Sequence, residues 1–269
     1  MNLGKILDES SFDYHANEAI SHSKLETFRK RPLLFRKRYI DKALAPESSA
    51  AFIMGSALHC AVLEPDEYQF RYVVAPDVDR RTKAGKEEWA AFQAQNAGKE
   101  VISREDNEVV KRMADACRSH PIAADLLEQG EAEVTWRVQD GSLTLQCRTD
   151  WINTKDNFIL DVKTTEYLSD FARLSVNYGY HRQAAFYTQL MAKLGSTNLD
   201  FYFLAVEKRE PFGTILFKAD TDYLSAGYHE NEVDLGRLAQ CYETGIWPNM
   251  PTTIEKLSLP AWYKTGGVS

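Results

Sequence analysis

The sequence predicts an α/β domain with a central mixed sheet of about five strands, helices on its faces and an N-terminal helical lobe. Three observations lead to this class. Residues 131–139 alternate apolar and polar side chains, as a half-buried strand does. Two more short apolar runs, at 199–206 and 214–217, indicate further strands. Residues 168–194 form a long amphipathic stretch, which is typical of a helix.

The composition permits one good-sized core, because 44% of the 269 residues are hydrophobic and 12% are aromatic. A net charge of −7 is unusual for a protein that binds nucleic acid without specificity, but the basic residues are clustered. One cluster contains Arg29, Lys30, Arg31, Arg36, Lys37 and Arg38, and the other contains Arg80, Arg81, Lys83 and Lys86. Local basic patches, rather than net charge, bind phosphates, although each cluster could instead be a solvated helix face.

The cysteines exclude two kinds of small-protein scaffold. Cys60, Cys117, Cys147 and Cys241 are isolated, with no Cys-x-x-Cys spacing, which argues against a disulfide framework and against structural zinc. No apolar run approaches the length of a membrane span, and residues 1–5 do not begin a signal peptide. We therefore expect a soluble, cytoplasmic protein without a membrane partner.

The first half of the chain is expected to be mostly helical, after an irregular arm at residues 1–20. Helices are predicted from Ser21 or Ser23 through Phe28, again after Pro32, from near Glu47 to Leu63, through Glu87–Gln95, from Ser103 to about Arg118, and from Pro121 to Gln129. Ser103 followed by Asp106 is typical of a helix start. An exposed loop is predicted at Arg80–Gly85.

The second half is expected to carry the sheet. Asp140-Gly141 predicts a hairpin to a strand from Leu143, and turn formers at 153–157 lead to a third antiparallel strand. A C-terminal helix over 220–244 should stop at Gly245. The expected organisation is a single domain, 1–269, with a mostly helical lobe (1–130), a sheet core (131–248) and a tail (249–269).

The candidate site lies on the second and third of these strands. On the second strand, Asp150 shares a face with Thr144, Gln146 and Arg148. The opposite face is formed by Leu143, Leu145, Cys147 and Trp151. Asp161 and Lys163 are two residues apart on the next strand and should share a face. Two carboxylates can bind magnesium, and a lysine beside them can orient water or stabilise charge on a phosphate. The alternative is a surface hairpin with an Asp/Lys pair.

Two further groups leave alternatives open. Glu131 or Glu133 could add a carboxylate to this site, but a surface glutamate at a strand end is the favoured interpretation. His59 ends a Gly-x-x-x-His pattern on the helix that ends at Leu63. A single helical histidine is more often a structural residue than a metal ligand, although neutral imidazole can bind metal.

Five segments, taken in order, resemble the PD-(D/E)xK nuclease superfamily and, within its RecB-like branch, the exonuclease VIII (RecE) nuclease-domain family. They are Gly55-Ser56-Ala57-Leu58-His59 with Val62-Leu63-Glu64-Pro65, Asp79–Lys86, Arg148-Thr149-Asp150-Trp151, Asp161-Val162-Lys163-Thr164-Thr165, and Tyr178–Tyr187. The resemblance covers nearly the whole chain. One departure is Thr149, which stands before Asp150 where the superfamily name has a proline. The cysteine set that holds an iron–sulfur cluster in some RecB-like nucleases is missing.

The resemblance implies a restriction-endonuclease-like core and roles for particular residues. Asp150 and Asp161 would bind metal, with His59 and the backbone carbonyl of Val162 as further ligands, and Lys163 would be the catalytic lysine. Gln183 and Tyr187 match the Gln-x-x-x-Tyr motif that lies beside the active site in this branch. The loop residues Arg80, Arg81 and Lys83 are the candidate DNA contacts.

The resemblance also implies an activity. It is that of a Mg²⁺-dependent exodeoxyribonuclease, with Mn²⁺ as a substitute, which digests linear double-stranded DNA 5′ to 3′ without ATP. The 3′ single-stranded tails would serve recombination with a RecT-like single-strand annealing protein. The implied assembly is a homotetrameric ring, for which the aromatic tail residues Trp247, Trp262 and Tyr263 offer contact surface, unless they pack on their own domain. A single-strand-specific or endonucleolytic enzyme, or an idle DNA-binding module, remains the alternative.

Overall fold

The computed structural model describes residues 3–44, 50–250 and 253–259. Its strands are β1 (Gly4–Ile6), β2 (Tyr72–Val74), β3 (Glu100–Ile102), β4 (Glu131–Asp140), β5 (Leu143–Asn153), β6 (Phe158–Thr165), β7 (Asp200–Glu207) and β8 (Thr214–Lys218). The main sheet has six strands in the order β1-β4-β5-β6-β7-β8. Strands β6 and β7 are parallel and all other neighbours are antiparallel, so the predicted mixed sheet is confirmed.

Three strands were not expected. Residues 4–6 lie in the predicted irregular arm, but they extend the sheet by pairing with β4 through Gly4 and Arg137. Strands β2 and β3 form a separate parallel pair. Each of these strands has three residues, which is too short for a period of two to stand out in the sequence.

The helices are α1 (Ser11–Ala16), α2 (His22–Lys30), α3 (Pro32–Phe35), α4 (Ala50–Leu63), α5 (Pro65–Arg71), α6 (Lys83–Gln95), α7 (Arg104–Ser119), α8 (Pro121–Leu126), α9 (Phe171–Tyr178), α10 (Tyr180–Lys193) and α11 (Thr221–Thr244). A π-helical turn follows α3 at Arg36–Ile40, and a short 3₁₀ turn precedes α9 at Leu168–Asp170. Within the described residues, no helix combines the length and the apolar character needed to cross a bilayer.

Helix ends agree with the capping chemistry, with one exception. Ser21 and Ser103 accept hydrogen bonds from backbone amides three residues later and start α2 and α7 as predicted. The single helix predicted for 168–194 is instead divided at Gly179, whose φ of 77° is left-handed. Glycine adopts this conformation without a steric penalty, so it ends one helix and redirects the chain into the next. The predicted start of α4 near Glu47 lies outside the described residues.

Helices cover both faces of the sheet and bury two apolar clusters. One face is covered by α2, α10 and α11, where Phe28, Phe186 and Leu238 pack against β4, β5 and β7. The other face is covered by α4 and α7, where Leu58 and Met113 pack against β6 and β7. The helices of residues 1–130 are thus divided between the two faces. The four cysteines are buried and free.

The alternation of side chains between the two faces of the sheet changes phase partway along β4 and β5. Leu145 and Cys147 lie in the cluster under α10, whereas Trp151 lies in the cluster under α4. The prediction that Trp151 shares a face with Leu145 and Cys147 is therefore wrong. The change occurs where Glu133, with a φ of 51°, stands between paired positions of β4 and leaves Asp150 without a ladder partner.

The crossing of α10 and α11 gives a test of the fold. A Cβ atom on Gly227 of α11 would lie 2.2 Å from the carbonyl oxygen of His181 and 2.9 Å from Cβ of Ala185, so the helices would have to separate. Gly227→Ala should lower the free energy of unfolding by about 1–3 kcal/mol, as overpacking does. Urea denaturation measures this change.

Gly236→Ala is the matched control in the same helix. Among the described residues, nothing lies within 4 Å of a Cβ atom at Gly236. Alanine should therefore stabilise the helix there by up to about 1 kcal/mol. Equal effects of the two substitutions would contradict the close helix crossing.

Candidate active site

A cleft of about 460 Å³ opens where α1, α2 and α4 meet the phase change in β4 and β5. Its lining includes His59, Glu133, Arg148, Asp150, Lys163, Gln183 and Tyr187, together with Tyr14 and His15 of α1 and Ser21–Ser23 at the start of α2. Five of the site residues predicted from the sequence, His59, Asp150, Lys163, Gln183 and Tyr187, thus line one cavity. The N-terminal arm, which sequence patterns left as irregular, forms part of its wall.

Asp150 occupies a gap between β5 and β6. The ladder between these strands ends at Trp151 and Leu160, and the next amide of β6, at Val162, donates its hydrogen bond to Oδ2 of Asp150 at 2.9 Å. The carboxylate thus replaces a backbone acceptor and holds the two strands together while they diverge. Asp150 is buried, with 8% of its surface exposed.

Asp161 and Lys163 share a face of β6, as their spacing predicts. The side chains form an ion pair in which Lys163 contacts Oδ2 of Asp161. The other carboxylate oxygen, Oδ1, accepts a hydrogen bond of 2.6 Å from Gln183 of α10. Asp161 has no exposed surface, so its carboxylate is held by these partners and not by water.

His59 joins the helix side of the cleft to both strands. It lies on α4 beside Ala57 and Leu58, which are fully buried against the sheet and fix the helix there. Its Nε2 is 2.9 Å from the carbonyl oxygen of Val162, and its Nδ1 is 3.4 Å from Oδ2 of Asp150. The histidine therefore lies among the groups that sequence reasoning grouped with it.

Glu133 is the residue that sequence reasoning ranked too low. His59, Glu133 and Asp150 each provide one potential metal-ligand atom, and these three atoms lie within 4.8 Å of one another. Glu131, the competing glutamate, pairs with Lys5 at the edge of the sheet. Strand alternation could not separate the two, since they are two residues apart and the positive φ of Glu133 breaks the alternation. Backbone strain of this kind often occurs at functional sites.

The site concentrates negative charge where water is scarce. Burial and the neighbouring charge of Asp150 raise the pKa of Glu133 to about 7. The same two causes raise the pKa of Asp161 to about 6. Burial lowers the pKa of Lys163, but the charges of Asp161 and Asp150 outweigh it and raise the pKa, so the lysine remains a cation. The ionised site is thus short of positive charge.

This donor set fits a hard divalent cation. Magnesium and manganese prefer oxygen ligands such as carboxylates, whereas imidazole suits the later first-row transition metals. Glu133, Asp150 and His59 provide such atoms in one cluster, and a cation there would relieve the repulsion among the carboxylates. Asp161 lies outside this closest group.

The remaining predicted residues are placed differently. Tyr187 lies one turn beyond Gln183, is 9% exposed, and packs its ring 6.1 Å from that of Phe201 while facing the cleft. Arg80, Arg81 and Lys83 are exposed and do not line the cleft in the described part of the chain. Arg80 stacks over Trp89 at 4.7 Å, and Lys83 is 3.9 Å from Glu87.

The aromatic tail is described only in part. Trp247 stacks on Phe35 with ring centroids 5.9 Å apart and meets Phe28 edge-on at 6.3 Å. It therefore packs on its own domain, which was the alternative to subunit contact. Trp262 and Tyr263 lie outside the described residues.

Comparisons with known proteins agree with this architecture. No curated protein matches the chain. The fold is similar to the crystal structure of a candidate exonuclease from Eubacterium rectale, with a TM-score of 0.65 and 14% sequence identity, covering 95% of this chain and 97% of that one. Residues 21–259 match the family described as the PDDEXK-like domain of unknown function (DUF3799). The chain belongs to this family and thereby to the PD-(D/E)xK nuclease superfamily.

Proposed function

We propose that this protein is a metal-dependent exodeoxyribonuclease that digests linear double-stranded DNA from its ends. The observation that carries the proposal is the meeting in one cleft of Glu133, Asp150 and His59 with Lys163, which pairs with the buried Asp161. Carboxylates that can hold a divalent cation, next to a lysine that stays charged, suit the hydrolysis of a phosphodiester. The solved structure of similar fold, itself described as a candidate exonuclease, supports action at ends.

Each residue of the site has a separate proposed role. Asp150, Asp161, His59 and the carbonyl of Val162 are the proposed metal ligands, joined by Glu133. The bound Mg²⁺ or Mn²⁺ would supply Lewis acidity and neutralise charge on the phosphate. The ammonium of Lys163 orients the attacking water or stabilises the negative charge that develops on the phosphate oxygens. Gln183 holds Asp161 through its hydrogen bond, and Tyr187 closes the wall of the cleft.

The finer features of the proposal rest on the resemblance to exonuclease VIII. They are digestion from 5′ to 3′ without ATP, release of 3′ tails for recombination, a RecT-like annealing partner and a ring of four copies. A ring suits a chain of charge −7, because basic patches can face the DNA while acidic surfaces face outward. The exposed Arg80, Arg81 and Lys83 are the proposed contacts to DNA phosphates.

End-labelled linear duplex and closed circular duplex of the same sequence test the proposal. With Mg²⁺, the linear DNA should be degraded progressively from its ends while the circular DNA stays intact. Asp161→Asn keeps the shape of the buried carboxylate but not its charge, so this variant should be inactive. Its inactivity would show that the cleavage comes from this protein and not from a contaminating nuclease. Cleavage of the circle would favour the endonucleolytic alternative, and no cleavage of either duplex would favour a single-strand-specific enzyme or an idle module.

Lys163→Ala should lower turnover by about 10²–10³-fold, the usual cost of removing a group that stabilises transition-state charge. DNA affinity measured in Ca²⁺ should change little, because this charge matters most when the phosphate oxygens gain charge. Lys155→Ala is the control, since Lys155 is an exposed lysine in the turn that joins β5 to β6. A large loss of affinity with normal turnover would make Lys163 a phosphate clamp.

Glu133→Gln should raise the melting temperature of the metal-free protein at pH 8. The pKa of Glu133 is higher in the folded state, about 7, than its ordinary value of 4.5, so its ionisation costs stability as the pH rises between these values. Glutamine removes that cost. The rise in melting temperature on adding Mn²⁺ should in turn be larger at pH 8 than at pH 5.5 in the wild type, because protons compete with the metal.

The same substitution should reduce the metal-induced rise at pH 8 by at least half. Glu131→Gln, two residues away on the same strand and paired with Lys5, should leave that rise unchanged. Differential scanning calorimetry with and without Mn²⁺ measures both effects. A metal-induced rise in Glu133→Gln equal to that of the wild type would remove Glu133 from the metal site.

A further inference from the structure

The junction of α9 and α10 places Tyr180 beside Lys163 and Tyr178 beside Tyr180, and the proposed chemistry uses neither tyrosine. The Tyr180 ring lies under the Lys163 ammonium, with its centroid 4.9 Å from Nζ. The ring of Tyr178 follows, with its centroid 5.8 Å from that of Tyr180 and the two planes inclined by 40°. The rings thus lead outward in two steps from the lysine at the site.

The turn that carries these rings is held rigidly. Gly179 joins the two helices with a φ of 77°, and its amide donates to the carbonyl oxygen of Val176 at 3.0 Å. The guanidinium of Arg182 packs so closely that a Cβ atom on Gly179 would lie 2.3 Å from it. Arg182 is itself held by Glu26 at 3.0 Å and by Glu230 at 2.9 Å. A ring on such a turn loses little conformational entropy when it binds a ligand.

The two rings differ in what covers them. Tyr180 packs between protein groups, with its centroid 5.7 Å from that of Phe203 in a stacked arrangement and 6.0 Å from that of Phe171. Tyr178 is 59% exposed, although it stands next to a partly buried aromatic cluster. Tyr178 is therefore free to accept a planar partner, and Tyr180 supports it from behind.

We infer that Tyr178 is a stacking platform for the terminal nucleobase of the DNA strand whose phosphate lies beside Lys163. The inference rests on the proposed function and adds a substrate contact to it. Aromatic side chains stack on bases of any sequence, because every base has a π face. Bases inside a duplex are covered on both faces by their neighbours, whereas a terminal base has one face free. A platform at this position therefore favours DNA ends over continuous duplex.

The spacing also suits this assignment. Successive bases of one strand rise by about 3.4 Å along the duplex axis. Two ring contacts from the ammonium, at 4.9 Å and 5.8 Å, place Tyr178 within reach of a base one or two nucleotides from a phosphate held at Lys163. The exposed ring and the lysine can thus engage the base and the phosphate of the same end.

A double-mutant cycle between the tyrosine and the base tests the inference. Binding is measured by fluorescence anisotropy in Ca²⁺, on hairpin DNA with one open duplex end. The terminal nucleotide of the 5′ or the 3′ strand is either intact or abasic. Tyr178→Ala should weaken binding to the intact end by about fivefold to a hundredfold, the range of base–aromatic stacking. At the stacked position, an abasic nucleotide should reduce this loss to less than twofold.

Three further variants separate stacking from structural damage. Tyr178→Phe and Tyr178→Trp keep a ring and should bind within about twofold of the wild type, since stacking needs a π face and not the hydroxyl. Tyr228→Ala is the control, because Tyr228 is another exposed tyrosine, 49% exposed on α11. It should bind normally to every DNA. The melting temperature of Tyr178→Ala should stay close to that of the wild type, because the deleted ring is mostly in solvent.

The outcomes distinguish this inference from the function on which it rests. Cleavage of linear DNA without any coupling between Tyr178 and a terminal base would overturn the platform and leave the nuclease standing. Coupling at one terminal base without cleavage would support the platform and overturn the nuclease. A wild-type protein that neither binds DNA ends in Ca²⁺ nor cleaves them in Mg²⁺ would overturn both.

Discussion

The hydrogen bond from the Val162 amide to the Asp150 carboxylate is the constraint on which the site depends. A central strand normally satisfies its amides with a neighbouring backbone, and a buried amide left unpaired costs about 1–3 kcal/mol. Here a side chain takes over the acceptor role, so β5 and β6 can diverge without that cost. The divergence leaves the carbonyl of Val162 directed to His59 and opens the cleft between the strands. The acidic group is thus both a structural acceptor and a candidate metal ligand.

The electrostatics follow from this geometry. Glu133 and Asp161 each have a raised pKa because burial and the charge of Asp150 disfavour their ionised forms. Lys163 compensates Asp161, but one lysine does not balance three carboxylates that are partly or fully buried. Such a site is unfavourable for the apoprotein and favourable for a cation, since metal binding replaces repulsion with ligation. The repulsion among the carboxylates lowers local stability, and a bound cation would relieve it.

Sequence patterns predicted those parts of the site that follow regular geometry. Asp161 and Lys163 share a face because a strand has a period of two, and Gln183 and Tyr187 share a face because a helix places residues four apart together. Glu133 could not be ranked correctly, because its positive φ departs from the regular strand on which the ranking depended. Strands of three residues, such as β1, are too short to give a period, and their pairing is decided by the long strand beside them. Sequence patterns thus predict the regular elements better than the irregular ones.

The position of Gln183, which holds Asp161, depends on the first turn of α10. Gln183 reaches Asp161 only if this turn is fixed, and the preceding residue, Arg182, joins it to α2 through Glu26 and to α11 through Glu230. These ion pairs are largely buried, so water screens them less than it screens pairs on the surface. The close crossing at Gly227 prevents α11 from moving toward α10, and Gly179 fixes where the turn begins. The close contact at Gly227 and the ion pairs of Arg182 therefore determine the position of the Gln183 side-chain amide, which holds the buried carboxylate of Asp161.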